Sequence, residues 1–310
     1  MKPYRRFFAV AGFVAAFAVW AAFAQSTEGA PARTIITAIP KNAEQPLAIQ
    51  PTDVKVKVNG KSVVTDSVTP LRGDRAGLEL VILIDSGARN SLGNQMRDIR
   101  SFVQSLPPAT EVAIAYMRNG SAVFAQPFTS NKNQALQSLH MPGGVPGSSG
   151  SPYFCISALA RNWPSHNTEN RREVIAITDG IDPYEPRFDP SNPHVSSAIN
   201  DSIRAGVIVD AIYWHASGLA SRIGYFAEGG QNLLTLVTQK TGGKFFYLGL
   251  SNPVSFKPFF EQISRQLNNQ YELGFTAPAK SKSQIATLRV KLQVPGVNLT
   301  APNLEVVPGR

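Results

Sequence analysis

Two stretches of the chain are unbroken apolar runs that end on a carboxylate. Residues 78–85 read LELVILID and close on Asp85; residues 174–179 read VIAITD and close on Asp179. Runs without polar alternation fit strands buried on both faces, as in a sheet covered by helices. After the first run, Leu92, Met96, Ile99, Phe102, Val103 and Leu106 fall at helical spacing until Pro107-Pro108 stops the helix. EVAIAYM at 111–117 reads as the next strand and SAVFAQPF at 121–128 as its hairpin partner. Helices are expected near 131–139, 153–162, 196–205 and 231–240, strands at 207–214 and 244–249, and a last helix after Asn252-Pro253. Strands alternating with helices predict an α/β fold with a doubly wound, mostly parallel sheet.

The flanks follow a different period. DVKVKV at 53–58 alternates, Asn59-Gly60 signals a tight hairpin, and ATLRVKLQV at 286–294 alternates again. These half-buried strands predict a small flanking antiparallel β-module built from both ends of the chain. The expected organisation is a signal peptide at 1–24, a leader or linker at 25–50, the N-terminal hairpin of the module at 51–76, the α/β domain at 77–269 and C-terminal strands at 270–310. Within the leader, TIITAI at 34–39 has the composition of a strand.

The first segment carries Lys2, Arg5 and Arg6, then an apolar stretch from Phe7 to Phe23, then Ala22-Phe23-Ala24. That is the pattern of a cleaved secretory signal, with cleavage before Gln25, and predicts an exported, periplasmic or secreted chain with no transmembrane segment in its mature form. The formal charge is +9, and three of the positive charges lie in that first segment. The remaining Lys and Arg are scattered without aromatic interleaving, which argues against nucleic acid and for a solvated basic surface that favours acidic or envelope partners. Cys155 is the single cysteine, so no intrachain disulfide forms; between Phe154 and Ile156 it reads as a small buried hydrophobe.

Carboxylates at strand ends sit where open α/β sheets bind ligands. Asp85 followed by a helix, the Gly/Ser-rich loop at 143–151 and the Thr178-Asp179-Gly180 turn together resemble a von Willebrand factor A domain. The close of the chain, TGGKFFYLG followed by a helix and QYELGFTAP, is similar to that of bacterial secreted VWFA-related proteins. The resemblance spans roughly residues 50–307. It implies a metal-ion-dependent adhesion site built from Asp-x-Ser-x-Ser, a Thr and a second Asp. Asp85 and Asp179 match; Gly87 and Arg89 stand in the two serine slots, and Ser151 stands in for the Thr. The site therefore reads as degenerate, with Arg89 taking the cation's place beside Asp85 or Asp179. A Mg²⁺ or Ca²⁺ site shifted by one residue onto Ser86, with Asp85, Ser151 and Asp179 and help from Ser149 or Asp182, is the alternative.

Enzyme signatures are weak. The serine run at 147–151 lacks the spacing of a nucleophile elbow, and His140, His166, His194 and His215 form no zinc-binding pair. The expectation is a binding module, not an enzyme, that engages a protein or cell-envelope component through a rim containing Asp85, Ser86, Arg89, Ser151 and Asp179. An enzyme whose residues converge only in space is the other class; a His or Ser meeting a carboxylate in a rim cavity would favour it.

Overall fold

The computed structural model describes residues 29–41, 47–88, 90–145, 147–215, 223–249, 251–279 and 281–309. The expected signal peptide and Arg89 lie outside the described residues. In chain order, β1 (Gly29–Pro40), β2 (Val54–Val58) and β3 (Lys61–Pro70) precede β4 (Leu78–Asp85) and α1 (Met96–Ser105). Next come β5 (Thr110–Arg118), β6 (Ser121–Thr129), α2 (Lys132–Gln137), α3 (Pro152–Arg161), β7 (Arg171–Thr178) and α4 (Pro193–Ala205). β8 (Val207–Tyr213), α5 (Gly224–Thr241), β9 (Phe245–Phe246) and α6 (Lys257–Leu267) complete the central domain. β10 (Gln270–Pro278), β11 (Gln284–Leu292), β12 (Val297–Thr300) and β13 (Leu304–Val307) close the chain.

The central sheet has six strands in the order β6-β5-β4-β7-β8-β9. It is mixed: β4 pairs parallel with β5 and β7, and β8 with β7 and β9, while β6 joins β5 antiparallel through the Asn119-Gly120 turn. The apolar run of β4 serves two cores at once. Leu78, Leu80, Ile82 and Ile84 pack with α1, α2 and α6 residues such as Ile99, Leu136 and Ile263. Val81 and Leu83 pack with Ile156, Ile199 and Leu234 of α3, α4 and α5. Each such fully buried aliphatic side chain contributes about 1.5–3 kcal/mol.

The second sheet is larger than the small module expected. It is antiparallel throughout, with seven strands in the order β12-β1-β10-β3-β2-β11-β13. Residues read as leader supply the 12-residue β1, which pairs with β10 from Gly29 to Thr37. The two flanks do meet: Val58, Val56 and Val54 of β2 stand opposite Leu288, Val290 and Leu292 of β11. The inward residues of this sheet, among them Ile36, Val56, Tyr271 and Leu288, form a core of their own.

Elsewhere the differences have local causes. α1 starts at Met96 because residues 90–95 form a tighter 3₁₀ segment. α5 starts at Gly224, inside a segment read as loop, and runs through Gly229 and Gly230. Glycine costs about 1 kcal/mol in a helix interior, which hides the helix from a propensity reading. Here the space is needed: a Cβ on Gly230 would stand 2.4 Å from the Asp179 carbonyl oxygen. Among the described residues, no helix is long and apolar enough to cross a membrane.

Candidate functional site

Strand order reverses at β4: its two neighbours, β5 and β7, lead toward opposite edges of the sheet. Chain leaving the carboxyl ends of β4 and β7 must therefore diverge, and the crevice between them is where open α/β sheets place ligands. Asp85 is the last residue of β4, and Asp179 follows the last residue of β7.

Asp85 is buried, and both of its carboxylate oxygens are engaged. Oδ1 accepts from the Gly87 backbone N–H at 2.7 Å, and Oδ2 accepts from the Thr178 hydroxyl at 2.9 Å. Thr178 Oγ1 in turn accepts from the Gly180 N–H at 3.2 Å, so one hydroxyl ties the first and third loops together. Asp179 is half-buried, and its Oδ1 accepts from the Ile181 N–H at 3.0 Å. Burial raises the Asp85 carboxyl above the ordinary value, against the pull of its Gly87, Thr178 and Ser149 partners. Burial, and then the Asp85 charge, push Asp179 up to about 7.

The Gly/Ser loop forms the second wall. Its Ser148 and Ser149 carbonyls accept from the Asn119 and Gly120 N–H groups at 3.0 and 2.7 Å, which pins it to the β5–β6 turn. A Cβ on Gly144 would meet the Ser86 carbonyl oxygen at 2.8 Å, so this loop closes over Ser86 and buries it. Ser151 begins α3 with its hydroxyl fully buried and without a hydrogen-bond partner among the described residues. Cys155 is buried beneath the loop, its thiol pushed up to about 12 by burial and by Asp85, as an inert hydrophobe would be.

The third wall is the long segment after Asp179. Tyr153 OH donates to the Gly180 carbonyl at 2.7 Å. Asp182, fully buried, binds His194 Nδ1 at 2.7 Å and accepts from the Tyr184 N–H at 3.0 Å. The His194 ring lies 4.2 Å from the Phe154 ring and meets Tyr184 edge-on. With one nitrogen and both flanks occupied, His194 fastens this segment to the start of α4.

The structure thus brings Asp85, Ser86, Ser149, Ser151 and Asp179 to walls of one rim, while Arg89 lies outside the described residues. Sequence reasoning missed the role of Thr178. Its hydroxyl, immediately before Asp179, is the one that binds Asp85. The Asp182–His194 pair spans 12 residues of loop and had no spacing signal.

No protein-family model and no curated protein matches this chain. Solved structures match its shape. BatB from Bacteroides thetaiotaomicron is 17% identical, with 62% of this chain and 97% of that chain covered at a TM-score of 0.46. The SpRpn10 VWA domain is 13% identical, over 60% of this chain and 94% of that one, at 0.40. The pilus adhesin SpaC from Lactobacillus rhamnosus GG is 10% identical, over 82% of this chain and 42% of that one, at 0.48. With every TM-score below 0.5, the chain is similar in outline to these von Willebrand factor A-type structures, and no family or role follows from that. The likeness is one of architecture and assigns no ligand.

The paired carboxyls have a pH consequence. Asp179 keeps its proton in the folded state up to about pH 7, whereas an unfolded Asp releases it near 3.8. Between these values the folded state binds more protons, so stability falls as pH rises through the window. Glu305, raised by burial from 4.5 to about 7, acts in the same direction. Thermal melts from pH 5 to 7.5 are expected to show a falling midpoint, with a shallower slope in Asp179→Asn. A midpoint that rises over this range, or an unchanged slope in the variant, contradicts the assignment.

Proposed function

We propose that the chain is an exported interaction module that binds a protein or cell-envelope ligand at the carboxyl-end rim of its central sheet, read as doubly wound. The observation that carries this reading is the rim's exposed apolar crown. Tyr184 and Phe188 after β7, Tyr225 at the start of α5, and Tyr247, Leu248 and Val254 between β9 and α6 are all exposed, Val254 by 95%. Scattered exposed apolar residues are ordinary, but a cluster on adjacent loops marks an interaction surface, and tyrosine is enriched at the centre of interfaces.

The residues fit a resident divalent ion poorly, and binding in this reading needs none. The Gly87 position points an N–H at Asp85 where an adhesion-type ring needs an oxygen. Both Asp85 oxygens are already engaged, by the Gly87 N–H and the Thr178 hydroxyl. By sequence, Arg89 adds a fixed positive charge in the second serine slot. One observation favours the alternative of a shifted Mg²⁺ or Ca²⁺ site: the unpartnered hydroxyl of buried Ser151. The Asp182–His194 pair is the contact that would favour an enzyme, but its ring is packed between aromatic side chains and serves the loop.

The test is capture from native envelope extract by the full chain, with and without chelator. Recovery of the same partner under both conditions is expected, with loss in a Tyr184→Ser/Tyr247→Ser variant that still folds. Recovery abolished by chelator, or unchanged in the variant, overturns the reading.

A further inference from the structure

The outer face of the seven-stranded sheet carries an arrangement that folding alone does not favour. In the β2–β11 ladder, Lys57 stands directly opposite Arg289, and Lys55 directly opposite Lys291. All four side chains are exposed, because the intervening Val54, Val56, Val58 and Leu288 point inward. Like charges directly across a sheet are destabilising. Among the described residues none of the four makes an ion pair, and the neighbouring Asp53 carboxylate accepts from the Gln50 N–H. The four Cβ atoms stand at the corners of a rectangle about 5 Å across the strands and about 7 Å along them. They line a concave groove of about 750 Å³ whose walls also present Thr52, Ser62, Thr65 and Gln293.

We propose that this groove binds an acidic polysaccharide, a chain whose carboxylates are separated by hydroxyl groups. The four cations supply the electrostatic attraction, and a carboxylate between two facing cations removes the repulsion built into each pair. The hydroxyl and amide groups beside the cations match a ligand that carries hydroxyls between its charges. Among the described residues no aromatic side chain lines the groove, so bases of a single-stranded nucleic acid have nothing to stack on there. β2 is already bonded to β3 and β11, so an acidic peptide finds no open strand edge there. The surface is concave, which suits a single chain better than a plane of lipid headgroups. This site lies on the second sheet and is independent of the rim of the first.

The test uses the full chain and defined oligogalacturonates, with methyl-esterified oligomers, polyphosphate and anionic phosphatidylglycerol vesicles as separate arms. Saturable binding of the acidic oligomer is expected, weakened roughly tenfold between 50 and 200 mM salt. Loss of at least about tenfold in affinity is expected in Lys57→Gln/Arg289→Gln, with no change in Tyr184→Ser. Lys57→Glu reports on the array without any ligand: it should raise the melting midpoint by about 2 °C, because it turns a repulsive cross-strand pair into an attractive one. The proposal is overturned by absent binding of the acidic oligomer, by equal binding of the esterified one, by undiminished binding in the double variant, by tighter binding of polyphosphate or vesicles, or by a lowered midpoint in Lys57→Glu.

Discussion

Replacing Arg171 with Met is expected to destabilise the chain by about 2–4 kcal/mol, because it strips two buried carbonyls of their donor and removes a charge that lowers the Glu173 carboxyl. Arg171 opens β7 and is 7% exposed. One of its Nη1 bonds goes to the Leu71 carbonyl beyond β3, at 3.3 Å, and another to the Leu267 carbonyl at the end of α6, at 3.2 Å. Two residues on, fully buried Glu173 accepts a hydrogen bond from Gln270 at the start of β10. This short stretch of one strand therefore fastens the central sheet to the second sheet at two points. Burial raises the Glu173 carboxyl, and the Arg171 charge and the Gln270 hydrogen bond offset part of that rise. Chemical denaturation should show the loss, and Arg171→Met/Glu173→Gln should recover a substantial part of it. A single variant within 1 kcal/mol of the parent would mean that the two sheets are not held through this pair.

Gly230→Ala is expected to cost about 1–3 kcal/mol and to abolish partner capture at the rim. In most helices the same change would be stabilising, since alanine is the better helix former. At Gly230 the added methyl would meet the Asp179 carbonyl oxygen at 2.4 Å and Gly180 C at 2.9 Å. Both atoms are backbone, so no side-chain rotation relieves the contact. Gly180 itself holds φ at +70° and packs against Leu234, which leaves the turn little room to move. The 179–181 segment must shift away from α5, carrying Asp179 and Thr178 out of register with Asp85. Melting and capture measured on the same preparation separate the two effects. A more stable variant with intact capture would show that this contact does not position the rim.

How much of this was legible in the sequence depended on whether a residue's role was local. β4 and β7 were plain because strands buried on both faces need continuous apolar runs, and the carboxylates that end them mark the rim. The β2–β11 pairing was also readable, because alternation shows which side of each strand is buried. α5 was not, because Gly229 and Gly230 look like helix breakers until the loops packed on them are seen. Only the TIITAI half of β1 read as a strand; its Ala- and Pro-rich start, from Gly29 to Arg33, is held by β10, more than 200 residues away, and not by intrinsic preference. The Thr178–Asp85 bond joins residues 93 apart, and no spacing rule singles out that hydroxyl.

Calorimetric titration of the full chain with Mg²⁺ and with Mn²⁺ near neutral pH tests the account's central claim most directly, that the rim works without a resident cation. The expected result is weak, non-stoichiometric heat in the parent, with affinity gained when Gly87→Ser and Arg89→Ser restore oxygen ligands. Tight one-to-one binding by the parent chain, lost in Asp85→Ala, would contradict the account and place a divalent ion at the centre of the rim.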